Sequence, residues 1–313
     1  MPIKVADNLP AKQILESENV YVMSESRAAH QDIRPLRLMI LNLMPTKIDT
    51  ETQLMRQLSN TALQLDIVLL QTATHRPAHT DRRHMAQFYR TFDQVKDQYF
   101  DGFIITGAPV EHIEFEDVDY WDELCTIMDW SKTHVFSTLH ICWGAQAALY
   151  YHYGIEKQPL PQKLSGVYAH QRLQAFHPLT RGLDDTFYIP HSRNTTVSVS
   201  AVNAVPSLET LAISHKAGLA IAARKDGRQV FFTGHCEYDR DTLNKEYLRD
   251  KVRGLNPAIP ENYFPDDDPT QSPIMRWRST GYLLFTNWIN FIYEGTPYDW
   301  EAWIAENKHL YNK

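Results

Sequence analysis

Residues 36–44, LRLMILNLM, are almost uninterruptedly apolar. A run that short with no polar face reads as a strand covered on both sides, as in a parallel sheet sandwiched by helices. Pro45 ends it, and Asp49 or Thr50 can cap the helix that follows, in which Leu54, Met55 and Leu58 form an apolar face. LQLDIVLLQ (63–71) reads as a second strand and FDGFIITGAP (100–109) as a third, with a helical segment over HMAQFYRTFDQVKDQ (84–98) between them. The helix YWDELCTIMDWSK (120–132) leads into another buried strand, HVFSTLHI (134–141), and CWGAQAALYYHYGI (142–155) follows at once as a helix. This alternation is the sequence form of an α/β fold with a doubly wound, mostly parallel sheet.

The second half is richer in β-structure. SHKAGLAIAARKDGRQVFFTGH (214–235) holds two apolar runs around Asp226-Gly227, a dipeptide that tolerates the positive φ of a hairpin turn. DTLNKEYLRDKVRG (241–254) reads as a helix ending at Gly254, residues 254–273 as a proline-rich loop, and WRSTGYLLFTNWINFIYEG (277–295) as a late amphipathic helix. Residues 1–35 are polar and carry Pro10 and Pro35, so they read as an N-terminal arm with a short helical pattern near Ala11–Ser17. The expected organisation is that arm, one domain over 36–300 and a C-terminal tail over 301–313.

A chain of 313 residues that is 43% hydrophobic and 12% aromatic has ample material for a large core. A net charge of −7 without any Lys/Arg-rich stretch argues against nucleic acid or an anionic membrane as partner. No apolar run approaches the roughly 18 residues of a membrane span. Three cysteines, Cys125, Cys142 and Cys236, follow a start without the charged-then-apolar pattern of a secretory signal. Free thiols and a cytoplasmic location are therefore expected. The arm and the Trp/Tyr-rich segment YDWEAWIAENKHLY (298–311) offer contact surfaces for a homodimer, and the sequence leaves oligomeric state open.

Ligands of open α/β sheets bind at the carboxyl ends of the strands, and Cys142 stands at one. First-turn N–H groups and the helix dipole stabilise a thiolate there. Trp143 N–H is the obvious oxyanion donor, and Gly144 occupies a position where a side chain would collide with the turn. A lone cysteine at a strand end is more often inert packing. The stretch Gly-His-Cys-Glu at 234–237 changes that balance, because His235 can take the thiol proton while Glu237 orients the imidazole. Cys236, between them, should point away and pack, and Cys125 reads as core.

Together, C-x-G-x-Q at 142–146 and H-x-E at 235–237 resemble the two-part signature of class I glutamine amidotransferases. Thr106-Gly107-Ala108-Pro109 is similar to the turn that supplies their second oxyanion donor, which implies Gly107 in that role. His140, two before the nucleophile, stands where those enzymes usually have glycine, so the elbow departs from their template.

A narrower resemblance is carried by LNLMPTKIDTETQL (41–54), DGFIITGAPVEHIEFEDVDYWDEL (101–124), HICWGAQAALYYHYGI (140–155), IPHSRNT (189–195) and GHCEYDRDTLNKEYLRD (234–250). These resemble the homoserine O-acyltransferases of methionine biosynthesis, over about residues 36–300. The resemblance implies ping-pong transfer of acetyl from acetyl-CoA, through a Cys142 thioester, to the hydroxyl of homoserine. That is the first committed step of the pathway, with acetyl-CoA and homoserine as small-molecule partners and no resident cofactor or metal. It implies substrate-binding roles for Lys163, Ser192, Glu246 and Arg249, with Arg249 suited to the α-carboxylate and Glu246 to the α-ammonium. It associates Lys47 with the active site and makes Glu111 the determinant of acyl donor, a carboxylate that would repel the far end of a succinyl group. Succinyl transfer, glutaminase activity and a non-catalytic redox sensor built on the same cysteine are the alternatives.

Overall fold

The apolar runs at 36–44, 100–109 and 134–141 pair side by side at the centre of one sheet. The computed structural model describes residues 3–6, 8–17, 23–24, 35–75, 81–297 and 300. In chain order its strands are β1 (Ile3–Val5), β2 (Met23–Ser24), β3 (Leu36–Leu41), β4 (Leu65–Leu70), β5 (Tyr89–Arg90), β6 (Phe100–Ile105), β7 (Val135–Ile141), β8 (Gln158–Arg172), β9 (Thr186–Thr196), β10 (Leu208–Ser214), β11 (Gly218–Arg224) and β12 (Gln229–Phe232). The helices are α1 (Pro10–Ser17), α2 (Lys47–Leu58), α3 (Arg82–Phe88), α4 (Trp121–His134), α5 (Trp143–Tyr153), α6 (Val199–Asn203), α7 (Thr242–Val252) and α8 (Arg278–Gly295).

The strands line up as β2-β1-β4-β3-β6-β7-β12-β11-β10-β8-β9, with β5 beside β4. The sheet is parallel from β2 to β12, and antiparallel from β12 to β9. The doubly wound, mostly parallel reading holds, with the antiparallel strands β8 to β11 added beyond β12. β3 sits between β4 and β6, so the chain reverses its direction of travel across the sheet there, which places ligand chemistry at neighbouring strand ends. β3, β6 and β7 are buried on both faces because α1, α2 and α8 pack on one side and α4 and α5 on the other.

Several boundaries differ from the sequence expectation. Helix α2 begins at Lys47, with Thr46 preceding it and making no side-chain cap, so Asp49 sits in the first turn, where its charge suits the dipole. The helix expected over 84–98 covers only its first part, because Thr91 and Gln94 form a capping box that starts a new 3-10 turn after the short strand β5. Part of the expected arm is built into the fold: β1 pairs with β4, and Ala11 and Leu15 of α1 are buried in the core. β2 pairs with β1 in turn, while residues 1–2, 7, 18–22 and 25–34 of the arm and the 301–313 tail lie outside the described residues. The long β8–β9 hairpin has no clear mark in the sequence pattern, since β8 carries Pro159 and Pro161, is largely polar and shifts register between Pro159 and Leu164. Among the described residues no helix is long and apolar enough to cross a membrane.

Helix α5 lies hard against the end of β6. A Cβ on Gly144 would stand 2.6 Å from the Thr106 carbonyl oxygen and 3.0 Å from that of Ile105, both backbone atoms. Gly144→Ala is therefore expected to lower unfolding free energy by about 1–3 kcal/mol through overpacking, read by chemical denaturation against the parent. An unchanged midpoint would show that the elbow does not need this close approach.

Candidate active site

Strands β7 and β12 run parallel with Ile141 opposite Phe232, so the residues that follow each strand emerge level with one another. Cys142 N–H donates to the Phe232 carbonyl at 2.7 Å, and His235 N–H donates to the Pro190 carbonyl at 2.8 Å. Those two backbone bonds hold the nucleophile candidate and its histidine at one rim of the sheet. Cys142 has φ 51° and ψ −115°, a conformation that a non-glycine residue adopts only under constraint. The strain turns the chain from β7 into α5 within one residue and directs the side chain out of the sheet at the helix N-terminus.

His235 and Glu237 are buried, and Nδ1–H of His235 donates to Glu237 Oε1 at 2.7 Å. That leaves Nε2 for Cys142, the imidazole's other hydrogen-bond partner. Burial pushes the His235 pKa down, but the charges and hydrogen bonds of Cys142 and Glu237 outweigh it and hold the imidazole well above its usual range. The imidazole thus lies between a sulfur and a carboxylate, both of which favour its protonated form. Cys142, His235 and Glu237 meet as expected.

The turn after β6 closes the site from the other side. A Cβ on Gly107 would lie 3.2 Å from Cys142 Cβ and 3.7 Å from Trp143 N, so Gly107 and the Trp143 amide flank the nucleophile. Thr106 Oγ1 accepts from Leu43 N–H at 2.8 Å and donates to the Gly107 carbonyl at 3.0 Å, which fixes this turn to the end of β3. Gln146, the last residue of C-x-G-x-Q, is fully buried and donates to the Thr195 carbonyl while accepting from Thr195 Oγ1. Its role is to tie α5 to β9.

Glu111 is buried, and its Oε2 accepts from both the backbone N–H and the side-chain amide of Asn194, at 2.8 and 2.9 Å. The fully covered guanidinium of Arg193 lies beside it. Arg193 donates to the carbonyls of Thr195 and Ala217 and to His191 Nδ1, and burial lowers its pKa against the raising influence of Cys142 and Glu111. Arg193 is absent from the residues that sequence reasoning selects. The signal is present, since Phe187, Ile189, His191 and Arg193 alternate on the buried face of β9.

Lys163, Ser192 and Glu246 come together, and Arg249 joins them through Asp250. Glu246 accepts from Ser192 Oγ and Tyr238 OH, and stands 4.0 Å from Lys163 Nζ. Arg249 reaches back to its neighbour Asp250 at 2.7 Å, and Lys163 binds the same carboxylate at 2.8 Å. Burial opposes ionisation of Asp250, but hydrogen bonds from Lys163 and Arg249 outweigh it and hold the carboxyl below its ordinary range. Sequence reasoning misses Asp250 because an Arg-Asp dipeptide on a helix looks like solvated surface.

Lys47 lies in a second polar cluster. Its ammonium donates to the Asn42 carbonyl, while Glu51 accepts from His84 Nε2 at 2.9 Å and Tyr89 OH at 2.6 Å. The other buried groups pack. His140 is stacked on Phe231 and burial lowers its pKa to about 4, so it is neutral, and burial raises the Cys236 thiol well above the ordinary range. Cys125 is half-buried at the rim of the core, with burial raising its pKa to about 12.

The chain matches, over residues 2–298, the family model described as HTS: Homoserine O-succinyltransferase. It is 57% identical over 300 residues to a homoserine O-acetyltransferase of Methanomethylophilus alvi, covering 96% of this chain and 97% of that one. It is 55% identical to a homoserine O-acetyltransferase of Acetivibrio thermocellus, covering 96% and 98%. Among solved structures, a glutamine amidotransferase of Thermotoga maritima aligns with a TM-score of 0.52 at 12% identity, covering 84% of this chain and 98% of that one. The glutaminase domain of Trypanosoma brucei CTPS aligns with a TM-score of 0.51 at 8% identity, covering 85% and 96%. The structural likeness shows the fold: the sheet of class I glutamine amidotransferases.

Burial lowers the Lys47 pKa from 10.5 to about 8, partly opposed by Glu51. Folding therefore releases a proton between about pH 8 and pH 10.5, so the cost of burying this ammonium is fully present below pH 8 and disappears above pH 10.5. Lys47→Met should accordingly be more stable than the parent at pH 7, by on the order of 2–3 kcal/mol, with the gap shrinking toward pH 10.5. Urea titrations at pH 7 and pH 10 check the sign; a gap that grows with pH would refute it.

Proposed function

The chain belongs to the homoserine O-acyltransferase family, and from that premise we propose that it transfers acetyl from acetyl-CoA to the hydroxyl of homoserine through an acetyl-Cys142 intermediate. This is the first committed step of methionine biosynthesis. The observation that carries the reading is the buried imidazole of His235, hydrogen-bonded to Glu237 on one side and to Cys142 on the other. An imidazolium next to a sulfur at a helix N-terminus supplies a thiolate and a proton donor without further rearrangement.

The sulfur attacks the thioester carbonyl carbon, and the developing oxyanion is met by the Trp143 amide and the Gly107 turn. As the carbon–sulfur bond to CoA breaks, His235 gives its proton to the departing thiolate. The neutral imidazole then takes the proton of homoserine's hydroxyl as that oxygen attacks the acetyl carbon, and Cys142 leaves as thiolate. Glu237 orients the imidazole and stabilises the imidazolium whenever it forms. In the acceptor pocket, Arg249 and Lys163 suit the α-carboxylate and Glu246 suits the α-ammonium, with Ser192 orienting Glu246. Lys47 supports the neighbouring strand end and takes no proton in these steps.

The family model is named for succinyl transfer and the relatives for acetyl transfer, and Glu111 favours the latter. Its carboxylate already takes the backbone and side-chain N–H donors of Asn194, and beside the acyl pocket it would repel the carboxylate of a succinyl group. Three unpaired thiols suit a reducing compartment, and the cytoplasm is the proposed location.

Mixing with acetyl-CoA should add about 42 Da, one acetyl in place of a proton, to Cys142, read by intact mass and peptide mapping. Cys142→Ser and His235→Ala should each lose at least about a thousandfold in kcat/KM. An unacylated Cys142, or His235→Ala with parental turnover, would overturn the assignment. Glu111→Gly should raise the ratio of kcat/KM for succinyl-CoA over acetyl-CoA at least about tenfold, and an unmoved ratio removes Glu111 as the determinant of donor.

A further inference from the structure

One hydrogen bond to Glu237 fixes the Nδ1 side of His235, but a single bond leaves a planar ring free to tilt about it. The face of that ring is covered by Tyr238, whose centroid lies 4.0 Å away with the planes 15° apart. Tyr238 is itself buried and anchored, since its carbonyl accepts from Trp277 Nε1 at 2.8 Å and it belongs to a small core with Val167, Leu243 and Trp277. At the far end of the same ring, the hydroxyl donates to Glu246 Oε1 at 3.0 Å. The other oxygen of that carboxylate is held by Ser192. One side chain therefore touches both the histidine of the nucleophile pair and the carboxylate of the acceptor cluster, with no residue between.

We propose that Tyr238 is a positioning residue for the second half-reaction. Its ring sets the plane of His235 and its hydroxyl sets Glu246, so the base and the group that holds the acceptor's ammonium are kept in register. The geometry matters because homoserine must present its hydroxyl to His235 Nε2 and to the acetyl carbon at once, while its amine, at the other end of a short chain, is bound to Glu246. In that step the hydroxyl proton passes to Nε2 as the new ester bond forms and the bond to Cys142 sulfur breaks. A misplacement of either anchor by a fraction of an ångström loses the aligned encounter. The first half-reaction needs the ring, which holds the imidazole, but not the hydroxyl, because acetyl-CoA makes no use of Glu246. This inference rests on the homoserine reading above.

The two functions of the side chain separate in Tyr238→Phe and Tyr238→Leu. Acetylation is followed by single-turnover CoA release without acceptor, and transfer by steady-state kinetics against homoserine. Tyr238→Phe is expected to acetylate within about twofold of the parent and to lose about tenfold in kcat/KM for homoserine, the size of one lost hydrogen bond to a charged group. Tyr238→Leu is expected to slow acetylation as well, so that Phe rescues the first step and not the second. If Tyr238→Leu does not fold, Tyr238→Phe and the parent decide the matter alone. The proposal is overturned if Tyr238→Phe keeps parental kcat/KM for homoserine, or if it slows both steps equally, as a mere packing role would. A parent enzyme that forms the acetyl adduct yet gives no acetylated homoserine overturns the acceptor reading, and this proposal with it. A parent that transfers normally, beside a Tyr238→Phe that does too, overturns this proposal only.

Discussion

The parallel pairing of β7 with β12 is the constraint on which the site depends. Cys142 and His235 are 93 residues apart in sequence, and neither belongs to a strand. They meet because Ile141 stands opposite Phe232 and the Cys142 amide continues the ladder onto the Phe232 carbonyl. A one-residue slip would turn every side chain of β12 to the other face of the sheet. Val230 and Phe232 would leave one core and Phe231 the other, so the hydrophobic packing on both faces enforces the register that the chemistry needs.

Electrostatics then separates one histidine from the rest. His140, His170 and His191 are as deeply buried as His235, and burial lowers the pKa of each. None has a carboxylate among its hydrogen-bond partners: His140 bonds a backbone carbonyl, and His170 and His191 bond each other, with Arg193 adding a positive charge beside His191. His235 alone of these four faces a sulfur and a carboxylate, and it alone is driven upward. Desolvation is similar in all four cases; the specific partners decide the protonation state. The same low-dielectric surroundings that keep three imidazoles neutral strengthen the pairing of the fourth.

The central strands, the elbow and the H-x-E stretch were legible in the sequence because each is a local pattern: continuous apolar runs, a cysteine at a strand–helix junction, and a histidine and glutamate two apart. The partners of Glu111 and Glu246 were not. Asn194 and Thr195 reach Glu111 from β9, whose partner strand β8 carries Pro159 and Pro161, and Tyr238 reaches Glu246 from the loop after β12, so nothing local in the sequence names these pairs. Arg249 illustrates the limit from the other side. Its type suggested a binder of the substrate's carboxylate, and it is paired with Asp250, its neighbour on α7, a carboxylate that Lys163 shares, while Glu246 is taken by Ser192 and Tyr238. Spacing along a helix says which side chains are neighbours, and the competition for each carboxylate is settled by strands distant in sequence.

That competition also bears on how a zwitterion is received. The acceptor cluster holds two cations, Lys163 and Arg249, against two anions, Glu246 and Asp250, and so is internally neutral. Asp250 satisfies both cations, which keeps them from standing as uncompensated charges at a half-buried site. Under the proposed reading, an incoming α-carboxylate would share those cations with Asp250, and an incoming ammonium would share Glu246 with Ser192 and Tyr238. Such a ligand would add one charge of each sign, so the cluster would stay neutral through binding and neither half of the ligand would be left unpaired. A substrate with only one of the two charges would upset that balance, and discrimination against it arises from the pairing already present among the four side chains.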